Sequence, residues 1–217
     1  MKTFSTKLLL ALITAACTML VGNAHASTIT LSTGFSGSGP LGTAAEYKST
    51  VDAAIAIPTS GYGTTSLAVF DNVSNQAFFG SNSDIAYKYN VDFDVTASDA
   101  GLWHFRAGVD FGSGGAVFID GVAIDTKSYD IWWNGAYSDP SQYFLFSAAL
   151  GSGMHTLSIY GIEGCCDGAS QAQFRAAGAE TFTTFSTTDG ATVPEPATLA
   201  LFGLGLLGFG LGRKRKV

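Results

Sequence analysis

The sequence predicts an all-β chain, a two-sheet sandwich or jelly roll, with a hydrophobic segment at either end. Three observations carry this expectation. Short runs of alternating apolar and polar residues recur along the middle, broken by Gly, Asn, Asp and Ser. Long amphipathic helical patterns are nearly absent. The two most continuously apolar stretches, Leu8 to Ala16 and Ala197 to Gly212, sit at the chain ends and outside that pattern.

The elements follow in order. Ser27 to Gly42 is rich in Gly, Ser and Thr and reads as a loose lead-in. Glu46 to Ile57 is the best short helix, ending before Pro58. Ile85 to Val95 alternates cleanly. Tyr87, Tyr89, Val91, Phe93 and Val95 face one way, and Lys88, Asn90, Asp92 and Asp94 face the other, as in a half-buried strand. Gly101 to Arg106 reads as the next strand. Ala116 to Ile119 and Val122 to Ile124 flank Asp120-Gly121, a two-residue hairpin signal. Tyr143 to Leu150 and Met154 to Tyr160 follow, around Gly151-Ser152-Gly153. Gln173 to Arg175 and Thr181 to Phe185 complete the set. Seven or more short strands at this spacing favour a sandwich or jelly roll. Ser186 to Val193 reads as a polar linker.

The N-terminal segment has the parts of a secretory leader. Lys2 and Lys7 precede the apolar run, and Ala24-His25-Ala26 places small residues where a signal peptidase cuts, between Ala26 and Ser27. The run is shorter than the ~20 residues a spanning helix needs. Cys17 could mark a lipoprotein, but Thr14 stands where such leaders prefer a branched apolar residue. At the other end, Pro194-Glu195-Pro196 leads into a charge-free stretch, 197–212, and then Arg213-Lys214-Arg215-Lys216. A basic cluster at one end of an apolar helix stays in the cytoplasm, so the middle of the chain lies across the membrane from it. Sixteen helical residues span about 24 Å, short of the ~30 Å hydrocarbon core. The pattern fits a transient hold better than a permanent anchor.

Between these ends lies one domain's length of chain, residues 27–185. Lys48, Lys88, Arg106, Lys127 and Arg175 are the only cations between Ser27 and Pro196, against all seventeen acids, a net charge of −12. Nucleic acid needs a basic patch and is excluded as a partner. Divalent cations, neutral glycans and polycations are compatible with it, as is plain solubility.

Three resemblances follow from these residues. Pro194-Glu195-Pro196, the Gly-rich apolar stretch and Arg213 to Lys216 resemble the PEP-CTERM sorting signal. That resemblance implies recognition by an exosortase, a membrane cysteine transpeptidase, and removal of the tag at or near Pro194-Glu195-Pro196. Asp110 with its Gly-rich loop, Ile119-Asp120-Gly121, Trp132-Trp133 and Gly153-Met154-His155 fall in an order similar to the PA14 β-sandwich, over Val91 to Gly178. Cys165-Cys166-Asp167-Gly168, with Trp132-Trp133 and Asp110-Phe111-Gly112, resembles the CCXG group of PEP-CTERM proteins, which brings no activity with it. The PA14 resemblance implies calcium held by adjacent aspartates in the loop containing Val109-Asp110-Phe111. Only Asp110 matches there, and calcium takes six to eight oxygens. Asp120, Asp130 or Asp167 could complete a site with Asp110. Alternatively, Asp110 and Asp120 are simple turn residues.

After leader removal, Cys165 and Cys166 are the only cysteines. Export favours disulfides. Neighbouring Cα atoms are about 3.8 Å apart across a trans peptide and ~2.9 Å across a cis one, below the ~4.4–6.8 Å of ordinary disulfides. A bridge between these neighbours would form a tight ring between Gly164 and Gly168. Intermolecular bridges and free or metal-bound thiols are the alternatives. Trp132 and Trp133 would alternate in a strand, one in the core and one exposed, where an exposed indole suits a sugar face or a partner protein. His155 reads as a hairpin residue bonded to backbone. No nucleophile elbow, zinc helix or phosphate loop occurs, and Gly112-Ser113-Gly114-Gly115 has no helix after it. The expected function is therefore a non-catalytic, cofactor-free surface protein that binds glycan or other exopolysaccharide components of biofilm or floc. Trp132, Trp133, Asp110 and Asp167 are its candidate ligand-binding residues. A self-associating coat protein is the alternative, and a glycan hydrolase built on paired acids is a third.

Overall fold

The computed structural model describes residues 28–189, and everything structural below concerns these. The leader to Ala26, its junction with Ser27, and the segment 194–217 with its Pro194-Glu195-Pro196 motif, helix 197–212 and basic tail lie outside the described residues. No helix among the described residues is long and apolar enough to cross a membrane.

Twelve strands form two main sheets and a short two-stranded ladder. The first strand, β1 (Thr28–Phe35), corrects the expectation of a loose lead-in. Ile29, Leu31 and Thr33 point inward at period two, despite the Ser/Thr/Gly composition. It pairs on both sides, with β2 (Thr64–Ser66) and with β3 (Ser83–Val95). The β3 alternation is as expected, with Tyr87, Tyr89, Val91, Phe93 and Val95 buried. β10 (Gly153–Cys165) lies beside β3 over nearly its whole length, five residues beyond the Tyr160 limit expected from sequence. β6 (Gly115–Ile119) and β7 (Val122–Lys127) complete a six-stranded sheet in the order β2-β1-β3-β10-β6-β7. The β6–β7 turn is the Asp120-Gly121 hairpin. Both residues have positive φ, 51° and 77°, as a type I′ turn requires.

The second sheet orders β12 (Thr183–Thr184), β11 (Gln171–Arg175), β4 (Gly101–Gly108) and β9 (Phe144–Leu150). The core lies between the sheets. Tyr89, Val91 and Phe93 from one meet Trp103, Phe105, Phe144, Phe146 and Ala172 from the other, with Phe185 between them. Full burial of such side chains contributes roughly 1.5–3 kcal/mol each.

The helix α1 (Ala44–Ile55) begins two residues earlier than expected, because Thr43 and Glu46 form a capping box. It packs on the outer face of the six-stranded sheet through Tyr47 and Val51, against Ala116, Phe118, Tyr160 and Ile162. A one-and-a-half-turn helix, α2 (Asn75–Phe79), precedes β3. Ser74 caps it at the N-terminus and Gly80 ends it in the left-handed region.

Candidate functional site

The site grows from the short ladder between β5 (Asp110–Phe111) and β8 (Ile131–Trp132). Phe111 and Ile131 are paired, fully buried and fix the ladder to the core. The alternate positions must then face outward, which makes Asp110 and Trp132 direct cross-strand partners. Trp132 is 62% exposed and Trp133 is 8% exposed, the one-in, one-out arrangement that alternation predicts. The Trp133 ring covers Gly108, where a β-carbon would overlap it, and its centroid is 5.5 Å from that of Tyr137.

Beyond Trp133 the chain turns at Gly135 and enters a single 3-10 turn, Pro140–Gln142, capped by Asp139. The Gln142 side-chain oxygen accepts a hydrogen bond from the Trp132 backbone N–H at 2.7 Å. Asp130, Trp132, Asn134, Asp139 and Gln142 surround an open cleft of about 370 Å³. That size suits a small ligand. An exposed indole ringed by oriented amide and carboxylate oxygens can stack one face of a ligand and bond its polar edge.

Asp110, the partner of Trp132, lies against Gly168, two residues beyond the Cys165–Cys166 knuckle at the end of β10. The two sulfurs are bonded to each other, a cis peptide joins the residues, and both are exposed. Three acids hold it. Glu163, only 2% exposed, accepts the backbone N–H groups of Gly112 and Cys165. Asp167 accepts the Tyr87 hydroxyl on one oxygen and the Gln76 N–H, at 2.5 Å, on the other. Its own N–H donates to the Asn82 carbonyl at 3.0 Å. Asp110 accepts from the Gly168 N–H.

These carboxylates crowd one another. Burial, reinforced by the neighbouring charges of Glu163, Asp130 and Asp167, pushes Asp110 up to about 7 against the pull of the Gly168 bond. Burial also raises Glu163 and Asp167 above the usual carboxylate range. Burial keeps the Tyr87 phenol protonated far above its ordinary range, as a donor to Asp167 requires.

The structure thus brings together Asp110, Trp132, Asp167 and the cysteine pair. It does not bring in Asp120. Asp120 N–H bonds the Thr156 carbonyl, its carboxylate accepts from Thr156 N–H and meets His155 at 2.7 Å, and His155 also bonds the Gly151 carbonyl at 3.0 Å. Thr156 and Glu163 lie seven residues apart on one strand, about 23 Å. The expectation of a shared Asp110–Asp120 calcium site is therefore corrected. Phe111 buries a ring where a second loop aspartate would stand, and Glu163 and Asp167 are committed to N–H and O–H donors. Among the described residues no group of three or more His, Cys, Asp or Glu side chains is arranged to hold a metal.

Glu163, Asn134, Asp139 and Gln142 were not singled out from sequence. Glu163 alone carried a signal, a lone acid at the end of the apolar run Leu157 to Ile162. The others depend on a loop geometry that no periodicity reports.

This architecture is that of the PA14 β-sandwich. The chain is similar to a solved structure described as the PA14 sugar-binding domain from an RTX adhesin, at 14% identity and a TM-score of 0.50, covering 75% of this chain and 96% of that one. Similar too are the PA14 domain of the MpAFP antifreeze protein (14%, TM-score 0.47, 73% and 87%) and the epithelial adhesin 9 A domain from Candida glabrata in complex with Galβ1-4GlcNAc (9%, TM-score 0.41, 76% and 90%). No curated protein matches the chain. Residues 192–216 match the PEP-CTERM protein-sorting motif, which implies export and exosortase-mediated sorting to the surface.

Proposed function

We propose that this is a non-catalytic surface protein that binds a neutral saccharide of the extracellular matrix through the cleft beside Trp132. A signal peptidase would release it at Ala26–Ser27, and an exosortase would act at Pro194-Glu195-Pro196. The carrying observation is the Trp132 indole, 62% exposed and ringed by Asp130, Asn134, Asp139 and Gln142. Aromatic faces stack on the apolar face of a sugar ring, and oriented carboxylate and amide groups bond its hydroxyls. The PA14 fold shared with the RTX adhesin domain supports the reading by analogy of fold. Two of the acids close to the knuckle are not free to serve in hydrolysis. Glu163 and Asp167 each accept two hydrogen bonds from the protein and serve the knuckle.

The test is binding of the full chain to the exopolysaccharide of its own cells, followed by fluorescence of Trp132. Saturable binding lost in Trp132→Ala supports the proposal. No binding, or binding unchanged by that substitution, rejects it.

The alternative of a self-associating coat has one observation in its favour. β7 is an edge strand that exposes Val122 and Ile124, with unpaired backbone groups along one side. Concentration-dependent sedimentation abolished by Val122→Lys would favour it.

A further inference from the structure

The loop that follows Trp132 borders a second cleft. It measures about 340 Å³, and Trp133, Asn134, Asp71 and Gln171 help line it. Asn134 borders both clefts. Trp133 supplies an aromatic wall and Asn134 an amide. Asp71 supplies a carboxylate fixed by a relay of side chains.

The relay starts at Arg106, whose guanidinium lies 4.0 Å from the Tyr137 ring centroid and 4.2 Å from that of Phe182. Arg106 Nε donates to the Gln173 side-chain oxygen at 2.7 Å. Gln173 donates to the Gln171 oxygen at 2.9 Å, and Gln171 donates to Asp71 Oδ1 at 2.6 Å. Each amide is oriented by the one before it, because its oxygen is occupied and its nitrogen must point onward. The Asp71 carboxylate at the end is thereby held before any ligand arrives, which reduces the ordering cost of binding. A fixed carboxylate with a neighbouring amide and an aromatic wall suits the adjacent hydroxyls of a sugar. The cleft offers no cation, so uronate and sulfate groups have no partner there.

We infer that the second cleft is a further saccharide subsite, and that the two clefts together take consecutive units of a neutral glycan chain across the Trp132–Asn134 loop. The inference rests on the proposal that the Trp132 cleft takes a saccharide. It changes the ligand class from a single sugar or chain end to an internal stretch of a polymer. Gln171 is a positioning residue in this arrangement, acting through Asp71.

Titration calorimetry of the full chain against a ladder of neutral oligosaccharides, of one to six units, tests it. The ladder is prepared by partial hydrolysis of the neutral polysaccharide from the same cells. Affinity is expected to rise at least tenfold between one and four units. Gln171→Ala and Asp71→Asn variants, checked for native melting, should flatten that rise and leave single-unit affinity within twofold. Trp132→Ala should weaken every length. Affinity independent of length, or a length dependence untouched by Gln171→Ala, overturns the second subsite and leaves the first standing. Absence of binding at every length overturns both.

Discussion

Trp133 lies over Gly108, and its indole occupies the space a β-carbon there would need. Gly108 ends β4 on one sheet and Trp133 begins the loop that borders both clefts. A missing side chain therefore positions the candidate site. Gly108→Ala should displace the indole and cost about 1–3 kcal/mol, the usual penalty for overpacking. Urea unfolding would read the loss, and glycan affinity should fall with it. An alanine variant with unchanged stability and binding would show that the loop holds its place without this contact.

Binding should not require calcium. Phe111 fills the position of a second loop aspartate, and the nearby acids are engaged by protein donors. Affinity for the matrix glycan is expected to be the same in EDTA as in millimolar calcium. A loss of affinity in EDTA that calcium restores would contradict this.

The crowded acids should make stability fall as pH rises. In the folded chain Asp110 sits at about 7, above the ~3.9 of an unfolded aspartate. The folded state thus keeps a proton that the unfolded state has lost. This contribution is complete below pH ~4 and disappears as pH rises through about 7. Glu163 and Asp167 are raised too and act in the same direction. Asp110→Asn should flatten the decline between pH 5 and 8, by on the order of 1 kcal/mol given its partial exposure. Equal pH slopes in the two proteins would exclude Asp110 as the source.

Removing the disulfide should leave the fold nearly intact. Cys165 and Cys166 are adjacent, so their bond closes almost no loop and constrains the unfolded chain little. The knuckle is also held by Glu163 and Asp167. The double variant Cys165→Ser, Cys166→Ser should lose less than about 1 kcal/mol by the loop-length dependence. A loss of several kcal/mol would show that the bond organises more than its own turn.

Strands with clean alternation were legible in the sequence. β3 and the Asp120-Gly121 hairpin appear as expected, because their signals are local. β1 was hidden by composition, since Thr33 and Gly34 take positions usually held by large apolar residues. β2, α2 and the 140–142 turn are too short to show a period. Within the candidate site, the opposed fates of Trp132 and Trp133 were legible from alternation alone. The pairing of Asp110 with Trp132 joins residues far apart in sequence, and the Asp71–Gln171 bond spans a hundred positions. Such contacts are set by sheet register, which local pattern does not specify.

The long β3–β10 pair has a direction. At one end Ser83 faces Cys165, and at the other Val95 faces Gly153. Thr28 pairs with Asp92 near that second end, and Asp189 lies there beside Phe93 and Thr96. The described residues therefore begin and end near one end of a strand pair about 40 Å long, at 3.3 Å per residue. The knuckle stands at the opposite end of that strand pair, where Cys165 faces Ser83.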